Sequence, residues 1–246
     1  MNKKTNYSYI GIAFIILIFG IIFVPKIISR IANDDVTRNE SRSDQVEDID
    51  VDEELDYLMI NEERKKVPDF SFIDQNRDTI TNKDYLGKVY VVEFFFTTCP
   101  TICPRMNRNL VQIQNAFKDF QNFGVASFTI NPDFDTPEVL KDYAERYGIT
   151  NPNWHLMTGD QEEIYDLANK GFPLYVAQDT DIEGGFEHSG HFALIDKEGF
   201  IRTRIENGNP IIFYNGIISE QEEVDDEGQT QQITKLKEDI AKLLKE

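Results

Sequence analysis

Thiol and imidazole side chains are scarce in this sequence. Its 246 residues include two cysteines, Cys99 and Cys103, and three histidines, His155, His188 and His191. Thiol chemistry and soft-metal binding are therefore restricted to one pair of cysteines. Any imidazole that takes part in a site must come from one of the three histidines.

Basic residues are few relative to acidic ones. The sequence has 25 Lys and Arg residues against 44 Asp and Glu residues, which gives a formal net charge of -19 at pH 7. Binding to nucleic acid requires a basic surface that neutralises phosphates, so nucleic acid is not a predicted partner. An acidic surface instead suits basic partners or cationic metals, and it also favours solubility.

Charge of either sign is missing from residues 6–25, which are mostly apolar. With its flanks this run reaches about 20 residues, the length that a helix needs to cross a bilayer. Lys3 and Lys4 precede it, so the positive-inside rule places the N-terminus in the cytoplasm and the following domain outside, although two basic residues after the run oppose this. No small-residue cleavage pattern follows, which favours an uncleaved single-pass anchor in the cell membrane over a signal peptide.

The chain is predicted to have three parts. Residues 1–30 hold the transmembrane anchor. Residues 31–66 are rich in acidic side chains and poor in aromatic ones, which is typical of a flexible linker. Residues 67–246 carry the apolar patterns of a globular domain.

The globular part has the pattern of an α/β fold. A run of β-branched and aromatic residues at 88–96 predicts a central strand that is buried on both faces. The other predicted elements are a hairpin at 69–81, helices at 104–120, 137–147, 161–170 and 233–244, and strands at 124–130, 154–157, 192–196 and 200–204. Their order predicts a thioredoxin-like fold with an added N-terminal β-hairpin and an insertion at 171–187 before the last β-hairpin.

The two cysteines lie where the central strand is followed by a helix. They belong to the run Thr-Thr-Cys-Pro-Thr-Ile-Cys-Pro at residues 97–104. Prolines suit the first turn of a helix, and the partial positive charge at a helix N-terminus favours a thiolate over a thiol. We therefore expect both sulfurs to face one opening at the carboxyl end of the sheet.

Three interpretations of the pair remain open at this stage. A structural disulfide is one, but a bridge that closes so short a loop adds little stability. A thiol–disulfide exchange enzyme is the second, but its usual motif has two residues between the cysteines, and the proline that normally precedes the facing strand is replaced by Ser189 and Gly190. A soft-metal site is the third, because two thiolates select copper(I) and an added imidazole also accommodates copper(II).

Two of the histidines are candidates for that imidazole. His188 and His191 come just before a strand that should lie beside the cysteine strand, with His188 predicted in a loop and His191 near the strand start. Either histidine could instead be a surface or capping residue. His155 flanks a strand elsewhere and is interpreted as structural.

Several motifs together resemble the Sco/SenC family, whose name refers to the synthesis of cytochrome c oxidase. The matching runs are Phe-Phe-Phe-Thr-Thr-Cys-Pro-Thr-Ile-Cys-Pro at 94–104, Asn-Pro-Asp-Phe-Asp-Thr-Pro-Glu at 131–138, and Glu-His-Ser at 187–189 before Leu-Ile-Asp at 194–196. The similarity covers about residues 67–244 and the single N-terminal anchor. Asn131, where relatives often have Asp, and Phe95-Phe96, where they often have Gly-Tyr, are departures.

The resemblance implies a copper ion, Cu(I) or Cu(II), held by Cys99, Cys103 and His188, with His191 as an alternative ligand. It further implies delivery of copper, or of reducing equivalents, to the binuclear copper site of cytochrome c oxidase subunit II or to another copper or thiol protein. Asp135 matches a family aspartate that is expected to shape the site or the docking surface.

The sequence therefore favours a metallochaperone and leaves open a thiol–disulfide reductase activity. Two alternatives use the same cysteines. One is a thiol–disulfide oxidoreductase that reduces a partner and needs no metal. The other is a redox or copper sensor whose acidic linker contacts a partner.

Overall fold

The computed structural model describes residues 55–178, 184–206, 209–225 and 228–246. In these stretches no helix has the length and apolar character needed to cross a bilayer. The predicted anchor at residues 1–30 and most of the predicted linker, residues 31–54, lie outside them. Residues Glu54–Glu246 form one compact unit.

Fourteen strands and four α-helices make up the described part. The strands are β1 (Asp56–Tyr57), β2 (Met59–Ile60), β3 (Glu63–Arg64), β4 (Ser71–Asp74), β5 (Thr79–Thr81), β6 (Val89–Phe95), β7 (Phe123–Thr129), β8 (Trp154–Thr158), β9 (Val176–Gln178), β10 (Phe186–His188), β11 (His191–Ile195), β12 (Ile201–Glu206), β13 (Asn209–Ile211) and β14 (Tyr214–Asn215). The helices are α1 (Cys103–Ala116), α2 (Pro137–Tyr147), α3 (Gln161–Asp166) and α4 (Ile233–Lys245).

The main sheet is mixed and has the strand order β1-β12-β11-β6-β7-β8-β4-β5. Strands β6, β7 and β8 run parallel, while β11 pairs antiparallel with β6 and β4 pairs antiparallel with β8. Helix α1 contacts α2 and α4, α2 contacts β8, and α4 contacts β6. This is the thioredoxin-like order that the sequence predicts, with the hairpin β4–β5 added at one edge.

Strand β6 lies between β11 and β7 in the sheet, and both of its faces are buried. All seven of its residues are buried, as expected for a strand with parallel and antiparallel neighbours and helices packed on the sheet. The predicted core positions of α1 (Met106, Leu110, Ile113) and the adjoining Phe117 are buried as well. The end of β6 is therefore a fixed point from which the cysteine segment departs.

The ends of α2 follow their local chemistry. Thr136 caps the helix by accepting a hydrogen bond from the Val139 amide, and Pro137 is the first helical residue. Gly148 ends the helix with φ of 72°, a conformation that glycine adopts without a steric penalty. Helix α3 is capped by Asp160 as predicted, but it is shorter than predicted because a π-turn, Leu167–Gly171, follows it.

The insertion contains a small hairpin of its own. Strands β9 and β10 pair antiparallel, with His188 opposite Val176. The amide of Ser189 then donates to the carbonyl of Tyr175 at 3.0 Å. His188 is thus the last residue of a strand rather than a loop residue, and its position is set by a backbone ladder.

The N-terminal edge of the sheet differs from the sequence prediction. The composition of residues 55–66 predicts part of the acidic linker, but these residues form β1, β2 and β3, and β1 pairs antiparallel with β12. Leu55 and Leu58 are buried, and the Leu58 amide donates to the carbonyl of Ile201 at 2.9 Å. The burial of Leu55 and Leu58 stabilises this edge in spite of the acidic residues around them.

A buried arginine joins this edge to the end of the chain. The guanidinium of Arg202 donates to the carbonyl of Leu55 at 2.6 Å and pairs with the carboxylates of Asp196 at 3.3 Å and Glu246 at 3.0 Å. It also lies over the ring of Tyr57, 4.3 Å from the centroid. Its Nε donates to the carbonyl of Asp56 at 3.3 Å, and a second contact joins Nη2 to Glu246 at 3.5 Å. All three guanidinium nitrogens therefore have acceptors, which is the condition for burying an arginine.

We expect Arg202→Leu to lower the free energy of unfolding by about 3 kcal/mol, because it leaves the buried Asp196 carboxylate without its cation. Urea denaturation followed by circular dichroism measures this. The matched control is Arg77→Leu, which breaks the exposed ion pair with Glu138 and should cost less than about 1 kcal/mol. Equal losses in the two variants would contradict the role given to Arg202.

One acidic residue interrupts the apolar strand β6. Glu93 is fully buried and accepts a hydrogen bond from the Ser127 hydroxyl at 2.7 Å, which in turn accepts one from the Trp154 indole at 2.9 Å. The second carboxyl oxygen of Glu93 has no partner among the described residues. Burial raises the pKa of Glu93 from 4.5 to about 7, with the Ser127 hydrogen bond acting in the opposite direction.

This raised pKa predicts a pH-dependent stability. The folded chain binds the Glu93 proton more tightly than the unfolded chain, so the stabilisation is full below pH 4.5 and is lost as the pH rises through about 7. Between pH 5 and pH 8 the free energy of unfolding of the wild type should fall by about 2–3 kcal/mol relative to that of Glu93→Gln, because the glutamine cannot ionise. Urea titrations at both pH values test this, with the exposed Glu145→Gln as the control that should follow the wild type.

Candidate metal centre

The cysteine segment turns directly from β6 into α1. The amide of Cys99 donates to the carbonyl of Phe96 at 3.2 Å, which closes a tight turn after the strand. Cys103 is the first residue of α1, and Pro104 follows it in the first helical turn. The strand-to-helix placement of both cysteines is therefore as predicted.

The fold brings a histidine to the two sulfurs. The ligand atoms of Cys99, Cys103 and His188 all lie within 4.8 Å of one another, and the Cys103 sulfur is 3.1 Å from Nε2 of His188. Both cysteines are free thiols, and all three residues are buried. Among the histidine, cysteine and acidic side chains in the described ranges, these three lie close enough together to hold one metal ion.

The spacing of the three atoms suits a single soft metal ion. Thiolate sulfur and imidazole nitrogen bind such ions at about 2.0–2.3 Å, so two ligands of one ion lie at most about 4.6 Å apart. The observed cluster needs only a small adjustment to meet that limit. Two sulfurs and one nitrogen also form a donor set that suits copper, whereas hard cations prefer oxygen ligands.

The other two histidines lie elsewhere. His191 is exposed at the start of β11, where it stands opposite Asn215, and it is not part of the group of three. Nδ1 of His155 is 2.9 Å from the Asp74 carboxylate, and its ring meets Tyr85 edge-on. His155 thus joins β8 to the hairpin β4–β5, in agreement with the structural role predicted for it.

The two sulfurs differ strongly in acidity. The hydrogen bond from the Cys103 thiol lowers the pKa of Cys99 far below that of an ordinary thiol, with further contributions from His188 and from the Cys103 amide. That amide approaches the Cys99 sulfur at 3.4 Å. Burial, followed by the proximity of Cys99, raises the pKa of Cys103 well above its usual value. The metal-free pair therefore consists of a thiolate at Cys99 and a thiol at Cys103.

Asp135 supports the segment that carries the cysteines. Its buried carboxylate accepts hydrogen bonds from the amide and hydroxyl of Thr97 and from the hydroxyl of Thr129. Burial raises its pKa, while these hydrogen bonds lower it. Asp135 touches neither sulfur, so its contacts tie the chain before Cys99 to the end of β7.

Two aromatic residues next to the site are not identifiable from the sequence. Phe96 meets the His188 ring edge-on at 5.8 Å between centroids, and it contacts Phe186 at 5.2 Å. In the sequence Phe96 belongs to a run of apolar residues that predicts core strand, and that run does not distinguish it from Phe94 or Phe95. The motif match at 94–96 is the one signal that could have pointed to it.

The SCO1/SenC family model matches residues 59–220. The chain belongs to this family. The match covers the cysteines, Asp135, both candidate histidines and part of the N-terminal edge that the sequence had assigned to the linker.

Individual Sco proteins agree with the family assignment. The SCO1 protein homolog of Bacillus subtilis is 31% identical over 157 residues, which cover 63% of this chain and 80% of the relative. A SCO1/SenC family lipoprotein from Bacillus anthracis has 28% identity and a TM-score of 0.60, over 73% of this chain and 95% of that structure. BsSco, a member of the Sco family of cytochrome c oxidase assembly proteins in which a disulfide switch was identified, has 25% identity and a TM-score of 0.58, over 73% and 94%.

The unequal pKa values predict unequal thiol labelling in this Sco-family chain. Because Cys99 is a thiolate, its rate of alkylation by iodoacetamide should change little between about pH 6 and pH 8, whereas that of an ordinary thiol rises over this range. Cys103 should stay unlabelled in the folded protein and react after denaturation in urea. Peptide mass spectrometry measures both, and equal labelling of the two folded thiols would contradict the assignment.

Proposed function

We propose that this chain is a copper-binding protein of cytochrome c oxidase assembly, with Cys99, Cys103 and His188 as its ligands. The observation that carries the proposal is the approach of two sulfurs and one imidazole nitrogen to within 4.8 Å in a buried group. The role in assembly rests on family membership and on BsSco, which is described as a member of a family of oxidase assembly proteins. His188 is chosen over His191 because His191 is exposed and outside the group.

Copper in this proposal is a cargo rather than a resident cofactor. Two thiolates suit copper(I), and the imidazole extends the site to copper(II). Cys103 has to give up its proton before it can bind, so metal uptake releases a proton to solvent. Cys99 and His188 are 7% and 8% exposed while Cys103 is fully buried, so an acceptor's ligand reaches Cys99 or His188 before Cys103.

The proposed setting is the outer side of the cell membrane. In this setting residues 1–30 would anchor the chain with the N-terminus in the cytoplasm. The proposed partner is subunit II of cytochrome c oxidase or another copper or thiol protein. The acidic surface of the chain suits a partner with a basic docking face.

A second candidate is reduction of a partner's disulfide, and the unequal acidity of the sulfurs supports it. The Cys99 thiolate would attack the partner disulfide and release one partner thiolate as a mixed disulfide forms. Cys103 would then lose its proton and attack the Cys99 sulfur, which releases the second partner thiolate and leaves a Cys99–Cys103 disulfide. His188 has no required place in this chemistry.

Copper titration of the reduced full-length chain in detergent tests the metal site. We expect copper(II) to produce a visible thiolate-to-copper charge-transfer band, because the metal would bind sulfur directly. His188→Ala should weaken copper(II) binding and change the band, and the matched variant His191→Ala should leave both unchanged. A wild-type protein without the band, or equal losses in the two histidine variants, would rule out the proposed ligands.

Complementation of oxidase activity in cells separates delivery from reduction. If copper delivery is the function, Cys99→Ser and His188→Ala should both abolish the appearance of active oxidase. If thiol reduction is the function, Cys99→Ser should abolish it while His188→Ala retains it. Immunoblots of the membrane fraction control for the amount of each variant.

A further inference from the structure

The ring of Phe96 lies under the hairpin that carries His188. Phe96 is 1% exposed and packs against Phe186 and His188, which stand at the two ends of β10. The hairpin backbone also comes close, since a Cβ atom at Gly184 would lie 3.2 Å from the tip of the Phe96 ring. The segment that carries His188 therefore packs on the ring of Phe96.

The same residue also holds the cysteine turn. Its carbonyl accepts the hydrogen bond from the Cys99 amide, and it is the first residue after β6. The residue that directly follows the central strand thus contacts the cysteine segment through its backbone and the histidine segment through its side chain. A change in its side chain alters the second contact while the backbone hydrogen bond remains.

The imidazole of His188 has a polar partner on one of its two nitrogens in the described ranges, because Nε2 lies 3.1 Å from the Cys103 sulfur. Its Nδ1 is buried and lacks a hydrogen bond there. Metal-binding histidines usually donate this second N–H to a carboxylate, carbonyl or water, which fixes the ring. Here the ring is held by its edge-on contact with Phe96 at an interplanar angle of 80° and by the pairing of β10 with β9.

We propose that Phe96 is a positioning residue for His188 and that it thereby sets how well the site holds copper(II) relative to copper(I). This inference rests on the proposed copper site. Copper(I) is satisfied by two thiolates, whereas copper(II) depends on the added imidazole. Loosening the ring of His188 therefore affects copper(II) first.

The test compares Phe96→Leu with Phe94→Leu in the full-length chain in detergent. Phe94 is also buried, two residues earlier in β6, but its ring packs on Phe128 at 5.3 Å and Phe172 at 5.9 Å rather than on the histidine. Both variants therefore remove one buried ring at the carboxyl end of β6 or directly after it. Copper(II) is followed by its charge-transfer band and its electron paramagnetic resonance spectrum, and copper(I) by competition with a chromophoric chelator.

Phe96→Leu should weaken copper(II) binding about 10- to 100-fold, as the loss of an outer partner of a ligand does, and should shift the copper(II) spectrum. Its copper(I) affinity and both affinities of Phe94→Leu should stay near the wild-type values. In a His188→Ala background, Phe96→Leu should cause no further loss, because the group that it positions is gone. Phe96→Met, which keeps most of the volume without a ring, repeats the comparison if the leucine variant is poorly folded.

Three results would overturn the inference. They are an unchanged copper(II) spectrum in both Phe96 variants, an equal loss of both copper ions, and an additional loss in the His188→Ala background. The proposed function fails separately, since a wild-type chain without a thiolate-to-copper band would remove the site itself. A wild-type band together with normal Phe96 variants would leave the copper site in place and reject only the role of Phe96.

Discussion

The burial of β6 on both faces is the constraint on which the rest of the structure depends. A strand with a parallel neighbour on one side and an antiparallel neighbour on the other has no freedom to shift its register. Its carboxyl end therefore fixes Phe96, the cysteine turn and the first residue of α1. The antiparallel neighbour, β11, begins three residues after His188, so the same strand also limits where the imidazole can lie. The group of three is a product of this double pairing.

Much of the fold is predictable because its elements carry strong local signals. The seven residues of β6, the apolar spacing of α1, the cap and glycine of α2 and the amphipathic α4 each determine one element within a few residues. The N-terminal edge is not predictable in this way. Leu55 and Leu58 lie among acidic residues, and their burial depends on β12, which is more than 140 residues away in the sequence. The π-turn after α3 likewise has no local signal.

The candidate site likewise has residues that local sequence predicts and residues that depend on tertiary contacts. The cysteines are predictable because their spacing and the strand-to-helix junction are local features. The choice between His188 and His191 is not local. It depends on the pairing of β9 with β10, which positions His188, and on the place of His191 as the first residue of β11. The roles of Phe96 and Asp135 need tertiary contacts as well, since an aromatic residue in a core strand and an acidic residue before a helix are common. The family resemblance supplied what the spacing alone left open for the histidine.

The depth of the three ligand atoms has a kinetic consequence. With one sulfur fully buried and the other two ligands less than a tenth exposed, bulk water has little access to an ion held there. Spontaneous dissociation would then be slow, and exchange would proceed associatively, with the incoming ligand of the recipient bound before the outgoing ligand departs. The rate of transfer would consequently depend on the concentration of the recipient. If the three residues hold copper as proposed, the site would retain its ion in the presence of dilute competitors and would release it to a docked recipient.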